Sequence, residues 1–375
     1  MGAAPDARAE ALVASYERAG YGRVAPALLQ PAEPFLDLSG EDIRKRMYLT
    51  VDPGGRELCL RPDLTIPVSR DYLASPQSGK AAGYCYLGPV FRHRDNGPNE
   101  FLQAGIESFG RNDTAATDAE MLALGLEAAT HYGMTAPDIR MGDVGLFAAL
   151  VAALDLAPAW KRRLIKDFNR KKSLAQDLER LSLATTNGHP EYQGVLAALA
   201  GADPKGAHAL VTDLLSIAGI TAVGGRSVGE IADRFLEQAA LGAATSLPRE
   251  TREVIEKFLA INGDPDDVVE KLRALANGTV TALHPAIDLM ESRTGFLAAR
   301  GIDVRSIRFS TAFGRGVDYY TGFEFELHDP KSDGANPLVA GGRYDGLLTR
   351  LGANAPIPAV GFAVWIERLA NGGAQ

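Results

Sequence analysis

Hydrophobic and polar positions along the first part of the chain change from a helical to an extended pattern. Residues 5–20 have the spacing of an amphipathic helix that opens the fold. The following segment, residues 21–36, is interrupted by Pro26, Pro31 and Pro34, and prolines disrupt helix interiors. The pattern therefore predicts a helix followed by an extended or looped segment.

Strand-like segments come next. Residues 47–51 and 57–60 are rich in apolar and β-branched side chains and flank Asp-Pro-Gly-Gly, which favours a tight turn. This arrangement predicts an antiparallel hairpin. Residues 84–91 and 104–109 have the same apolar and aromatic texture and predict two further strands.

A long helix is predicted after these strands. Thr117 and Glu120 have the spacing of a capping box, and apolar residues then recur at helical spacing to about His131. Helical patterns rich in Ala and Leu run from residue 146 to about 275. They are interrupted at Pro158 and at three further loop signals, residues 187–190, 203–204 and 224–225.

Strand texture returns at residues 307–309 and 323–327, and strict alternation in the second run predicts a half-buried strand. The simplest architecture is α+β, with an antiparallel sheet built from both ends of the sequence and flanked by helices. We therefore predict a core domain of residues 1–145 and 280–375, and a helical insertion of residues 146–279.

Composition excludes several classes of protein. Of the 375 residues, 46% are hydrophobic and 23% charged, and no apolar run has the length that a bilayer requires. The first residues lack a secretory pattern, which predicts a cytoplasmic protein. Cys59 and Cys85 have no metal-ligand spacing and are predicted to be packing residues, so no metal or cofactor is expected.

The formal net charge of −8 disfavours a main role in holding a polyanion. Residues 161–172 form one basic stretch. Leu164, Ile165 and Phe168 supply an apolar stripe at helical spacing, so a solvated helix face is one interpretation. A docking surface for nucleic acid or an acidic partner is the other.

Four stretches together resemble the catalytic core of histidyl-tRNA synthetases, which are class II aminoacyl-tRNA synthetases. Residues 21–36 resemble the motif 1 region, which builds a dimer interface, with Pro26 as its proline. LRPDLTIPVSR at residues 60–70 resembles the segment that holds the amino group of histidine. Residues 86–110 resemble motif 2, and RGVDYYTG and GGRYDGL resemble two histidine-specific signatures within residues 313–369.

The resemblance implies a histidine-binding set. Arg92 matches an arginine that binds both the α-phosphate of ATP and the carboxylate of the amino acid, which suits a bidentate guanidinium. Asp63 stands in place of a glutamate, one carbon-carbon bond or about 1.5 Å further back. Gly341 and Gly342 would let the backbone approach the ligand. The set comprises Asp63, Thr65, Arg92, Gln103, Glu107, Arg315, Tyr319 and Tyr320.

Three departures from the synthetase pattern indicate lost chemistry. Arg94 stands where the family has a glutamate, in a loop that is shorter than in synthetases. Trp365 replaces a small residue three positions before Arg368, the arginine that stacks on adenine in the family, so the indole either occupies nucleotide space or points into the core. The chain ends seven residues after Arg368, where synthetases continue into an anticodon-binding domain.

A core-only chain of this kind resembles the regulatory subunits of ATP phosphoribosyltransferase in histidine biosynthesis. The resemblance implies association with the short-form catalytic subunit in a hetero-octamer, a dimer through the motif 1 region, histidine as effector and no reaction of its own; tRNA binding is not expected. One alternative is a truncated synthetase that activates an amino acid with ATP, favoured by Arg92, Arg315 and Arg368. Another is an RNA-binding module that uses residues 161–172.

Overall fold

The computed structural model describes residues 7–39, 43–95, 97–182, 204–217, 232, 248–332 and 336–372. The chain divides into two compact units. The first contains residues Met1–Leu150 and Lys257–Gln375, and the second contains Val151–Glu256. Residues 257–279, predicted as part of the insertion, thus belong to the first unit.

A nine-stranded mixed sheet forms the centre of the first unit, in the order β1-β5-β6-β12-β11-β10-β7-β9-β8. All pairs are antiparallel except β1 with β5 and β7 with β9. The strands are β1 (Gly22–Arg23), β5 (Ala82–Phe91), β6 (Glu100–Phe109), β7 (Asp138–Asp143), β8 (Asn262–Gly263), β9 (Ile307–Ser310), β10 (Phe323–His328), β11 (Val339–Arg343) and β12 (Ala359–Trp365).

Strands from both ends of the sequence meet at the middle of this sheet. β6 pairs with β12, which places Gln103 opposite Trp365 and Glu107 opposite Gly361. The predicted α+β fold, with its sheet built from distant segments, is confirmed. The pairing also explains why residues 103 and 107 share a face, since alternate residues of a strand point the same way.

β10 departs from the prediction of a half-buried strand. Its alternating pattern predicted one solvent-exposed face. Five of its six residues are nevertheless buried, and Glu324 has no exposed surface. Glu324 accepts a hydrogen bond from the backbone N–H of Arg315, and Glu326 accepts from that guanidinium. Alternation here separates a layer of phenylalanines from a layer of paired polar groups.

A second sheet of three strands has the order β2-β4-β3, comprising β2 (Leu29–Pro31), β3 (Leu49–Val51) and β4 (Glu57–Leu60). β3 and β4 pair antiparallel, which confirms the predicted hairpin. The Asp52 carboxylate accepts hydrogen bonds from the backbone N–H groups of Gly54 and Arg56 and so closes the turn.

Helices pack around the sheets of the first unit. They are α1 (Ala7–Arg18), α2 (Glu33–Leu38), α3 (Thr65–Ala74), α4 (Thr114–His131), α5 (Val144–Ala153), α9 (Arg249–Leu259), α10 (Pro265–Thr279), α11 (His284–Ala299), α12 (Leu347–Arg350) and α13 (Ile366–Gly372); α5 and α9 contain the points where the chain passes between units. The predicted first helix is confirmed.

Two helix starts and one strand differ from the predictions. Pro34 lies in the first turn of α2, where a missing N–H costs nothing, so this segment is not wholly extended. α4 begins at Thr114, and the Thr117 hydroxyl bonds the Asp113 carbonyl inside the first turn instead of capping. β7 was not predicted, because its charged residues at positions 138, 140 and 143 conceal a buried strand.

The second unit is helical where it is described. Its helices include α6 (Pro158–Asp167), α7 (Lys171–Ser182) and α8 (Pro204–Ile217). Pro158 and Pro204 begin helices, as expected for interruptions between them. The predicted breaks at residues 187–190 and 224–225 lie outside the described residues.

The basic stretch at residues 161–172 forms part of this second unit. Leu164 and Phe168 are buried as predicted, whereas Ile165 is 38% exposed. Arg163 forms ion pairs with Asp167 and Asp177 at 2.9 and 2.8 Å. Aspartates thus offset part of the basic charge. No helix in the described part of the chain is long and apolar enough to cross a membrane.

Candidate functional site

A cavity in the first unit lies against strands β6, β11 and β12. It brings together seven of the eight residues predicted to bind histidine; Glu107 alone is not part of its wall. The lining comprises Ile43, Asp63, Thr65, Arg92, Gln103, Arg315, Val317, Tyr319, Tyr320, Ala340, Tyr344, Gly361, Phe362, Ala363 and Trp365.

The fold supplies these residues from separate parts of the chain. Asp63 and Thr65 lie where α3 begins, and Arg92 directly follows β5. Arg315 and Tyr319 lie in the connection between β9 and β10. The cavity therefore exists only when the sheet joins both ends of the sequence.

Glu107 lies beside the cavity at the centre of a cluster of hydroxyl donors, here called the Glu107 cluster. Its carboxyl accepts hydrogen bonds from Thr65 at 2.7 Å, from Tyr86 at 3.2 Å and from Tyr344. Burial raises the pKa of Glu107 to about 8, although these three hydrogen bonds act in the opposite direction. The carboxyl is therefore mostly protonated at neutral pH.

Gly361 makes room for this carboxyl. A Cβ atom at position 361 would fall on the Glu107 carboxyl group and lie 2.5 Å from the Ile106 carbonyl oxygen. Gly341 and Gly342, predicted to let the backbone approach a ligand, also make room for neighbouring parts of the protein: a Cβ at Gly342 would lie 2.9 Å from the Tyr320 ring. Their approach to a ligand stays a prediction.

Asp63 and Gln103 place unsatisfied acceptors at the cavity. Asp63 is 6% exposed; its Oδ1 accepts from the backbone N–H of Ile66 at 3.2 Å, while Oδ2 has no partner among the described residues. Gln103 is 1% exposed, and its Oε1 likewise has no partner in the part of the chain that the structure describes. Burial raises the pKa of Asp63, and Arg92 offsets this in part. A cationic ligand group at Asp63 would supply the missing interaction.

Arg315 is held by partners on several sides. Its Nη1 donates to the Tyr320 hydroxyl at 2.7 Å and its Nε to Glu326 at 3.0 Å. Burial lowers the pKa of Arg315, but Tyr320 and Glu326 outweigh it and the net shift is upward. Burial also raises the pKa of Glu324 to about 8. Arg315 thus has its charge compensated within the protein.

Three other arginines of this region, Arg92, Arg94 and Arg368, lack an ion pair of that kind. Burial lowers the pKa of each, and the carboxylates of Asp63, Glu367 and Glu326 oppose this for Arg92, Arg94 and Arg368 respectively. The Arg92 Nε donates to the Pro62 carbonyl, and Arg368 donates to that of Pro337. The Arg94 guanidinium lies 3.6 Å from the centroid of the Phe101 ring. Within the described residues, none of the three forms an ion pair with a carboxylate.

Trp365 packs into the core, as one of the two interpretations predicted; that its indole occupies nucleotide space stays a prediction. It is 6% exposed, packs within the apolar core that includes Tyr86 and Phe101, and also lines the cavity. The Arg368 guanidinium lies 4.9 Å from its ring centroid, close enough for a cation–π contact. The Trp365 Nε1–H has no acceptor.

Sequence reasoning missed the roles of Tyr86 and Tyr344. Both lie inside the matched motifs, yet only the pairing of β5 with β6, of β6 with β12 and of β12 with β11 shows that their hydroxyls converge on Glu107. Cys59 and Cys85 are buried free cysteines, as predicted. No group of three or more potential metal ligands is found among the described residues.

Comparison with known proteins identifies the family to which the chain belongs. The histidyl-tRNA synthetase family model matches residues 4–224 and 206–369. ATP phosphoribosyltransferase regulatory subunits from Mesorhizobium japonicum and Brucella canis are 41% and 39% identical to it. The first match covers 92% of both chains, and the second covers 91% of this chain and 90% of the relative. The chain belongs to the family of ATP phosphoribosyltransferase regulatory subunits.

Solved structures agree with this family in fold. An ATP phosphoribosyltransferase regulatory subunit/histidyl-tRNA synthetase from Bacillus halodurans superposes with a TM-score of 0.68 at 21% identity, covering 98% of this chain and 78% of that one. Histidyl-tRNA synthetase from Nostoc sp. gives a TM-score of 0.61 at 18% identity, covering 97% and 70%. The predicted class II synthetase-like fold is confirmed.

Proposed function

We propose that this chain is a cytoplasmic regulatory subunit that binds the short catalytic subunit of ATP phosphoribosyltransferase, raises its activity and makes it sensitive to histidine. The observation that carries the proposal is the identity of about 40% over more than 90% of the chain to proteins of that name. A regulatory role needs no chemical reaction at the cavity, and the contacts of Trp365 argue against such a reaction.

The contact between Arg368 and Trp365 argues against nucleotide chemistry. In the synthetases that the chain resembles, the matching arginine stacks on adenine. Here its guanidinium lies over the chain's own indole, 4.9 Å from the ring centroid. Trp365 is nearly fully buried, so moving it aside would disrupt packed core. The indole therefore takes the place of the base at this arginine.

The polar groups of the cavity support histidine as the effector. Asp63 presents an unpartnered carboxylate oxygen that suits an ammonium group, and Arg92 suits a carboxylate. Gln103 presents an unpartnered amide oxygen that can accept a hydrogen bond from an imidazole N–H. Tyr319 and Tyr320 add aromatic surface on the same cavity. Amine, carboxylate and imidazole each have a complementary group.

Assembly is tested by mixing the purified chain with the short catalytic subunit at micromolar concentrations. We expect a hetero-oligomer in size-exclusion chromatography with light scattering, and a rise in phosphoribosyltransferase activity that histidine reverses. Each subunit alone is the control. Absence of association at these concentrations would contradict the proposal.

Histidine binding is tested separately by calorimetry on this chain alone. Asp63→Asn keeps the shape of the side chain but removes its charge, and we expect at least about tenfold weaker binding because the ammonium loses its counter-charge. Glu107→Ala should also weaken binding, because it removes the acceptor that orients Thr65 and Tyr344.

The matched control is Asp71→Asn, an exposed aspartate on helix α3. It changes net charge by the same amount as Asp63→Asn without touching the cavity, and should leave histidine affinity unchanged. Equal binding by all variants would mean that the effector site lies elsewhere, while the assembly experiment would still stand.

Self-association through the motif 1 region is supported by exposed apolar side chains on the three-stranded sheet. Leu49 and Val51 share one face of this sheet and are 49% and 63% exposed. Leu29, which pairs with Leu60, lies on the opposite face and is 46% exposed. Exposed apolar side chains of this size on a small sheet are typical of an interface. Sedimentation of a Leu49→Lys/Val51→Lys variant should shift toward monomer, and an unchanged dimer would exclude this face.

A synthetase that activates histidine is the second candidate, because Arg92, Arg315 and Arg368 persist around the cavity. Histidine-dependent exchange of pyrophosphate into ATP distinguishes the two functions. We expect no exchange with this chain; clear exchange would establish the second candidate instead.

A further inference from the structure

Arg315 is held in the wall of the cavity by strand β10 and a tyrosine. Glu324 on this strand accepts a hydrogen bond from the Arg315 backbone N–H at 2.7 Å, and Glu326 accepts one from Nε at 3.0 Å. The Tyr320 hydroxyl accepts from Nη1 at 2.7 Å. The Arg315 side chain is 13% exposed, and its Nη2 forms no hydrogen bond within the described residues. Because a guanidinium group is planar and rigid, fixing Nε and Nη1 also fixes the direction in which Nη2 points.

The Glu326 carboxylate connects Arg315 to a buried histidine. Its Oε1 accepts from Arg315, and its Oε2 lies 2.9 Å from Nε2 of His328. Burial raises the pKa of Glu326, but the hydrogen bond with His328 and the charge of Arg315 outweigh it, and the net shift is downward. Glu326 is therefore ionised at neutral pH and only accepts hydrogen bonds, so Nε2 of His328 is the donor. A chain of two hydrogen bonds thus leads from His328 to the cavity wall.

His328 has few other polar partners. It is the last residue of β10 and 1% exposed, and its Nδ1 has no partner in the part of the chain that the structure describes. Asp138, opposite it on β7, pairs with Arg140 and Arg308 at 3.0 Å each. Burial of an unsatisfied ring nitrogen is unfavourable, so an apolar side chain would serve packing alone better. The bond to Glu326 is what distinguishes histidine from leucine at this position.

We propose that His328 is a positioning residue for the ligand of the cavity: by holding the Glu326 carboxylate, it fixes the direction in which Arg315 presents Nη2. The proposal rests on the proposed function for the ligand, histidine, whose carboxylate or imidazole supplies an acceptor for a guanidinium N–H. Glu326 and His328 are not among the residues that line the cavity, so both act through Arg315 and not by contact with the ligand.

The positioning is measured without ligand, from the Nε–H signal of Arg315 in proton–nitrogen correlation spectra of the full chain. The Arg315→Lys variant lacks this signal and so assigns it. His328→Leu keeps a buried side chain but removes the donor. We expect it to shift the Arg315 signal and to speed exchange of this proton with water, because the Glu326 carboxylate is then free to turn. His328→Gln places an amide N–H near the position of Nε2 and should return the signal to that of the parent.

Calorimetry with histidine measures the consequence for binding. His328→Leu should weaken binding about tenfold, as expected for loss of a hydrogen bond to a charged group, whereas His328→Gln should bind within about threefold of the parent. In a Glu326→Gln background, His328→Leu should cause little further loss, because the residue through which it acts is already altered. His284→Leu, at a half-buried histidine that begins α11 outside the cavity, is the control and should bind as the parent does.

Three results would overturn the proposal: an Arg315 signal that His328→Leu leaves unchanged, His328→Gln and His328→Leu variants that behave alike, or full additivity of the His328→Leu and Glu326→Gln losses. The second would show that His328 only fills space. The spectra contain no ligand. A parent chain that fails to bind histidine would therefore contradict the proposed effector, while the Arg315 signal would still decide the role of His328.

Discussion

Two buried polar clusters in the first unit differ in how their charges are compensated. In one, here called the Asp118 cluster, Arg293 bonds Asp118 and Asp143 at 2.9 Å each, and Arg343 bonds Asp118 at 2.6 Å. In the Glu107 cluster, the carboxyl faces only the hydroxyl groups of Thr65, Tyr86 and Tyr344.

The difference in charge compensation indicates that the Asp118 cluster is structural, whereas the Glu107 cluster belongs to the candidate binding site. The Asp118 cluster links helix α4, strand β7, helix α11 and strand β11 with paired charges, and its four members are at most 4% exposed. The Glu107 cluster adjoins a cavity whose neighbouring acceptors on Asp63 and Gln103 lack partners. Paired charge fixes the sheet and helices in place, whereas unpaired polar groups remain available to a ligand.

The largest effect is expected from breaking the Asp118 cluster. Arg293→Met keeps the aliphatic stem but leaves the buried Asp143 without its ion-pair partner and Asp118 with Arg343 alone, which should cost about 3–5 kcal/mol in free energy of unfolding. Urea unfolding followed by Trp365 fluorescence in a Trp160→Phe background measures this. Arg300→Met, at an arginine that is 41% exposed, is the control; equal losses would refute the scaffold role.

The Glu107 cluster should make the free energy of unfolding depend on pH. The pKa of Glu107 rises from 4.5 to about 8 on folding, so the folded state binds more protons than the unfolded state between these values. Stability therefore falls as pH rises through this window, by about 1.4 kcal/mol per pH unit for this group. Glu107→Gln should remove that contribution, so the variant's unfolding free energy depends less steeply on pH.

Glu324, whose pKa also rises to about 8, provides a parallel test. Glu324→Gln should remove a similar part of the slope. Unfolding curves at several pH values between 5 and 8 measure the slopes. A Glu107→Gln variant with the parent slope would show that the carboxyl is already ionised in the folded protein.

Loss of one hydroxyl from the Glu107 cluster should cost less than loss of a guanidinium from the Asp118 cluster. Tyr344→Phe removes one donor to Glu107 and should lower the free energy of unfolding by about 1–2 kcal/mol. Tyr16→Phe is matched in chemistry, because the buried Tyr16 hydroxyl has no partner and its removal should cost nothing. Equal costs would mean that the Tyr344 hydrogen bond adds no stability.

The smallest loss of stability is expected from breaking an exposed ion pair. Arg249 is 91% exposed and pairs with Glu253 one helical turn away at 2.9 Å. Arg249→Ala should change stability by about 0.5 kcal/mol or less, since water screens both charges. Thermal unfolding measures it, and a loss comparable to that of Arg293→Met would contradict the importance of burial.

Local pattern was sufficient for the elements with strong signals. Helix α1, the hairpin β3–β4 and strand β5 follow from spacing and turn residues. Strand β7 was missed because its carboxylates at positions 138 and 143 pair with Arg308 and Arg293, which are far away in sequence. The burial of β10 was missed because Glu324 and Glu326 accept hydrogen bonds from Arg315, in the connection that precedes the strand. Propensity describes a residue and its near neighbours, so it cannot anticipate such compensation.

The sequence by itself determined the motifs, their order and the set of candidate ligand-binding residues, because these are matters of residue identity and spacing. Only the tertiary structure decided which of those residues line a common cavity, that Glu107 lies beside it and that Arg368 rests on Trp365. The reason is physical: pairing of β6 with β12 joins residues 250 or more positions apart, and burial then sets their charge states.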